Sequence, residues 1–116
     1  MAKVSSIDIR VHLDDHNSTD AIEWQASAAP EPGMQQAKAM VLSLWDADAR
    51  NAMRIDLWTK DMTIDDMNDF FFQIFLSMAD TYKTATNNKE LMAEIKMFAR
   101  DFAEKASQAA RAQGRN

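Results

Sequence analysis

The apolar residues of this chain change their spacing part-way along, and that change limits the folds open to it. Ile7, Ile9, Val11 and Leu13 alternate with Asp8, Arg10 and His12, and Ile22, Trp24 and Ala26 alternate with Glu23, Gln25 and Ser27. A period of two puts one set on each face of a strand, so both runs read as half-buried strands. From Ile64 the spacing becomes helical. Ile64, Met67, Phe71, Ile74, Phe75, Met78 and Tyr82 form one stripe, and Leu91, Ile95, Phe98, Phe102, Ala106 and Ala109 form a second. A chain with both kinds of run, in an order that does not strictly alternate strand and helix, is neither an all-helical bundle nor a βαβ fold, which leaves the α+β class.

The segment Asp14 to Asp20, DDHNSTD, is made of short polar side chains that favour turns, so the first two strands are expected to pair as an antiparallel hairpin. AAPEPG, Ala28 to Gly33, holds both prolines and stops the second strand. Met34, Ala37, Met40, Val41, Leu44 and Trp45 fall at helical spacing, so a first helix is expected from about Met34 to Trp45, broken by DADARN, Asp46 to Asn51. Met53, Ile55 and Leu57 then alternate with Arg54, Asp56 and Trp58 as a third strand. Thr63 with Asp66 resembles a capping box and opens a helix to about Thr84. Asn87 with Glu90 repeats the pattern and opens another to about Ala110. The expected order is ββαβαα: a small antiparallel sheet, made of the N-terminal hairpin plus the third strand, packed by helices. With 116 residues, one domain over residues 1–110 and a flexible basic tail at 111–116 are expected.

Composition removes several function classes. The chain has no cysteine, which excludes disulfides, thiolate metal sites and cysteine nucleophiles. Its two glycines leave no room for a dinucleotide fingerprint or a phosphate-binding loop, and no serine sits in a G-x-S-x-G context. The net charge of −5 disfavours a protein whose task is gripping phosphates, so no nucleic-acid partner is expected. No apolar run approaches the roughly 20 residues of a membrane span, so no direct membrane insertion is expected. MAKVSSIDIR has no apolar stretch before its first charged strand, so the expected location is cytoplasmic.

Two polar clusters and one apolar set are candidates for function. Asp14, Asp15, His16 and Asp20 match no EF-hand spacing and fit a solvated turn. Asp56, Asp61, Asp65, Asp66 and Asp69 are denser, and paired carboxylates can do acid–base chemistry or hold a cation. Most of them, however, gather at a helix start, where the dipole favours anions without any function. The residues therefore point to a non-enzyme with no cofactor, no catalytic group and no metal ligands. The alternative is a small-ligand or metal-binding protein, or minor enzyme, using the aspartates of residues 56–69. The unusual feature is apolar: nine methionines and three tryptophans in so short a chain. Trp58 shares its strand face with charged residues, and Phe72 and Leu76 form an i, i+4 pair off the main stripe of their helix. Phe72 and Leu76 are covered either by another helix or by a partner. Together Trp58, Phe72 and Leu76 are the candidate interaction surface.

The segments AKAMVLSLWD (Ala37 to Asp46), RIDLWTKDM (Arg54 to Met62), MADTY (Met78 to Tyr82) and FAEK (Phe102 to Lys105), with IEW (Ile22 to Trp24), resemble the GldC family of gliding-motility-associated proteins from bacteria of the Bacteroidetes group. Thr63 stands where many relatives are expected to carry proline, and both suit a helix start. The resemblance implies a small cytoplasmic accessory protein with no enzymatic activity. Its expected partners are proteins of the motility machinery, or a second copy through self-association. It transfers no binding or catalytic residue.

Overall fold

The computed structural model describes residues 2–114. It is α+β, with five strands followed by two helices: β1 (Ile7–Leu13), β2 (Thr19–Ala26), β3 (Gln35–Ala37), β4 (Ala39–Asp46), β5 (Asn51–Trp58), α1 (Ile64–Thr86) and α2 (Lys89–Ala112). The chain divides into two compact units, one of strands up to Met62 and one of helices from Thr63.

In the strand unit β1 and β2 form the expected hairpin, with Ile9 opposite Trp24 and Val11 opposite Ile22. Its turn is held by the Asp14 carboxylate, which accepts from the backbone N–H groups of His16 at 2.8 Å and Ser18 at 3.0 Å. Asn17 takes the left-handed conformation there, at φ 61°, which asparagine tolerates well. The expected helix from Met34 to Trp45 is instead strand. Residues 35–37 extend the hairpin sheet as β3, and residues 39–46 pair with β5 as a separate two-stranded sheet. The stretch reads both ways locally, because an apolar run with residues at 37, 40, 41, 44 and 45 also alternates as Met40, Leu42, Leu44. Pairing with a distant partner decides between the two. DADARN is accordingly a hairpin turn rather than a helix end. Asp46 Oδ1 accepts from the N–H groups of Asp48 and Ala49, and Arg50 sits at φ 52°. The third strand thus pairs with β4 and not with the N-terminal hairpin.

The two sheets of this unit meet at a polar junction. The Thr59 N–H donates to the Lys38 carbonyl at 2.8 Å, and the Lys60 N–H donates to the Thr19 carbonyl at 3.2 Å. Thr59 is 1% exposed, and its hydroxyl donates to the Asp61 carboxylate, so this buried polar group is satisfied.

In the helical unit Thr63 caps α1 as expected. The Asp66 N–H donates to Thr63 Oγ1 at 3.0 Å, and the Thr63 N–H donates back to the Asp66 carboxylate at 3.3 Å. The second cap falls one residue later than its sequence pattern suggests. Asn87 closes α1 in the left-handed conformation, and Asn88 opens α2 by accepting from the Leu91 N–H. Two residues therefore turn the chain between antiparallel helices. Ala79, Ala99 and Ala110 are buried, and Phe75 meets Phe98 and Phe102 at 5.3 Å each in edge-on contacts. Phe98 nevertheless remains 55% exposed, where its stripe position predicts burial. Helix α2 continues through Ala112, and Arg115 and Asn116 of the expected tail lie outside the described residues.

Candidate functional site

The pleat of the strand unit sorts its side chains. In β4 and β5 the opposed pairs Met40 with Leu57, Leu42 with Ile55 and Leu44 with Met53 fall on one face, which ends at the turn in the polar pair Asp46 with Asn51. The other face carries Ala39 with Trp58, Val41 with Asp56, Ser43 with Arg54 and Trp45 with Ala52. There Arg54 pairs with Asp56 at 3.3 Å, and the Arg50 guanidinium lies 5.7 Å from the centre of the Trp45 ring.

Met40 and its neighbour Ala39, on opposite faces of β4, line an apolar cleft of about 320 Å³ together with Ile7, Ile9, Ile22 and Trp24 of the hairpin sheet. Within the strand unit Ile22 is 1% exposed, whereas Ile7 is 73%, Leu44 59%, Met53 61% and Ile55 51% exposed. Single exposed apolar residues are ordinary on a protein surface, but a run of them on one face is not. This face was not legible as a site in the sequence, because Met40 and Leu44 read as helix and Met53, Ile55 and Leu57 read as core. The alternation of Met40, Leu42 and Leu44 was the available signal.

The three side chains singled out by sequence are divided between the units. Trp58 stands at the end of β5, exposed, on the face it shares with Asp56 and beside Thr19 and Lys60. Phe72 and Leu76 are both half-buried on α1. Phe72 lines a groove with Ala103, Ala106 and Ala110, so α2 covers much of that flank.

The carboxylates have structural occupations. Asp61 accepts from Lys38 at 2.8 Å and from the Thr59 hydroxyl, and these two hydrogen bonds, Lys38 first, lower its pKa to about 2. Asp14 is also held below the ordinary carboxylate range, chiefly by Lys60 at 3.0 Å and then by the Ser18 and His16 backbone. Lys60 is raised in turn, first by Asp14 and then by Asp20. Asp56 pairs with Arg54, and Asp66 closes the capping box. Asp65 and Asp69 line the shallow groove beside Phe72. On the hairpin, His12 contacts the Glu23 carboxylate. Among the described residues no three His, Cys, Asp or Glu side chains are grouped to hold a metal ion. Among the described residues no helix is long and apolar enough to cross a membrane.

A family model described as gliding motility-associated protein GldC-like matches residues 19–108. The chain belongs to the GldC-like family. The match runs from the start of β2 to the last turns of α2. The resemblance carried by AKAMVLSLWD, RIDLWTKDM, MADTY and FAEK is therefore borne out, and this GldC-like chain comes from a family linked to gliding motility. No curated protein and no solved structure matches it.

Proposed function

We propose that this GldC-like protein is a cytoplasmic, non-enzymatic accessory component of gliding motility that acts by binding other proteins. The supporting observation is the apolar face of the strand unit, which leaves Ile7, Leu44, Met53 and Ile55 more than half exposed. Water-exposed apolar area of this kind is stabilised by association, at roughly 25 cal/mol per Å² removed from water. Trp58, with the aromatic type enriched at binding hot spots, extends the candidate surface on the opposite face. The competing use of the aspartates for a ligand or a cation has less support, because Asp56, Asp61 and Asp66 already hold Arg54, Lys38 and the Thr63 cap.

The test is gene replacement in a gliding bacterium. Replacement by the double variant Leu44→Asp, Ile55→Asp should abolish colony spreading, with the purified variant keeping its helical circular dichroism. Replacement by Asp65→Asn, Asp69→Asn should leave spreading unchanged. The opposite pattern assigns function to the acidic groove and refutes the binding-face reading.

A further inference from the structure

We propose that two copies of this chain join strand to strand through the free backbone edge of β4, about a two-fold axis at Leu42, so that the two-stranded sheet of each copy becomes half of a four-stranded one. This contact is made by the backbone of β4 and is separate from the side-chain face described above.

β4 is hydrogen-bonded to β5 along one edge, and among the described residues no strand pairs with its other edge. The register to β5 runs from Ala39 to Asp46 without a shift, and the Thr59 N–H extends it by donating to the Lys38 carbonyl. Residues of an antiparallel strand present their N–H and C=O groups alternately to one edge and the other. Lys38 faces β5, and so do Met40, Leu42 and Leu44. Ala39, Val41, Ser43 and Trp45 therefore present their backbone groups outward. Water or another strand can take these groups, whereas α1 and α2 spend theirs on their own turns and caps.

The other edges of the strand unit are blunted. Charge, proline, a bulge or shortness discourages pairing at an open edge. β1 carries Asp8, Arg10 and His12 and an irregular register at His12 to Leu13, and β5 carries Arg54 and Asp56. β3 has three residues. β4 has eight, and from Ala39 to Trp45 it holds no charge, proline or glycine. Pairing at this edge also replaces a two-stranded sheet, marginal in water, with one of four strands.

Charge at the two ends of β4 selects the partner and the register. An antiparallel copy placed with Leu42 opposite Leu42 sets Lys38 opposite Asp46 at both ends. The outward residues then meet each other, Val41 with Ser43 and Ala39 with Trp45, and the axis makes each pair occur twice. Moving the axis to Val41 or Ser43 sets Asp46 opposite Gln36 or Met40 and loses the ion match. Lys38 already holds Asp61 at 2.8 Å, and an ammonium has three donors. The turn contacts of Asp46 to Asp48 and Ala49 use Oδ1.

The test is sedimentation of the full chain over a dilution series together with single-cysteine cross-linking, which the absence of native cysteine makes clean. The wild type should sediment at twice 13.2 kDa and dissociate on dilution. Leu42→Cys sets two thiols across the axis in a non-hydrogen-bonded pair, where Cα atoms lie about 4.5 Å apart, and should cross-link under mild oxidation. Leu44→Cys sets its two thiols four residues out of register, about 13 Å apart along the strand, and should not. Ser43→Pro removes an outward N–H and no bond to β5, so it should keep the circular dichroism of the wild type and weaken the dimer at least about tenfold. A wild type that stays at 13.2 kDa throughout overturns the proposal. A dimer that fails to cross-link at Leu42, or one that Ser43→Pro leaves intact, overturns it as well.

Discussion

The helical unit and the strand unit solve the same problem differently. The helices settle their own ends, since both starts are capped by their own side chains and one asparagine closes α1, and they share a ring cluster of Phe75 with Phe98 and Phe102, although Met78, Met97 and Phe98 stay more than half exposed. The strand unit satisfies its backbone through hairpins and a polar junction, yet among its described residues only Ile22 and Thr59 are fully buried larger side chains. Leu44, Met53 and Ile55 of its apolar ladder are more than half exposed. Residues in the first unit should therefore act on folding, and residues on the ladder of the second should act on association.

Phe75→Ala is the strongest way to break that contrast. It removes a ring that meets three other phenylalanines and should cost about 3–4 kcal/mol in urea unfolding followed by helical signal. A loss below about 1 kcal/mol, the size of an ordinary surface change, would mean the helical pair is not a self-sufficient core. Ile22→Ala tests the one dry point of the strand face and should cost about 2–3 kcal/mol by the same assay, since Ile22 is 1% exposed. Thr63→Ala removes the cap of α1 and should cost about 1 kcal/mol. Leu44→Ser should stay within about 0.5 kcal/mol of the wild type, because the side chain is already 59% exposed. A large folding loss at Leu44 would erase the distinction between the two regions.

The smallest effect concerns acid. The Asp61 pKa is lowered to about 2, first by Lys38 and then by Thr59. A lowered carboxylate stabilises the fold above its ordinary pKa of 3.8, and that contribution is lost as pH falls toward about 2. The Asp61 side chain is 61% exposed, so salt screens the pair and the effect is slight. Asp61→Asn should flatten the stability profile between those two values, and an unchanged profile would remove the Lys38 contact from the junction.

The sequence showed most clearly what is decided locally. Thr63 and Asp66 are three residues apart and cap α1 without help from elsewhere, and DDHNSTD turns on its own Asp14. Asn87 and Asn88 illustrate a finer limit. Both residue types cap helices, and only the backbone shows that Asn87 ends one helix while Asn88 starts the next. Residues 35–46 were lost to local reading because their apolar residues serve either period. Their conformation is settled by β2 and by Met53 to Leu57, partners that periodicity does not see. The candidate face was missed with them. Trp58 was legible as exposed, since its alternation with Leu57 held, whereas Phe72 proved to face the alanines of α2.

The connectivity has a kinetic consequence. Every strongly contacting pair of elements, β1 with β2, β2 with β3, β4 with β5 and α1 with α2, joins neighbours along the chain. Within each of these pairs the loop to be closed is short, so little loop entropy is lost before its contacts form, and hairpins of this kind close in about 1–10 μs. Each hairpin can also form as soon as its second arm leaves the ribosome, well before the helices are made. The apolar ladder of β4–β5 is then open to water while the rest of the chain is still being made.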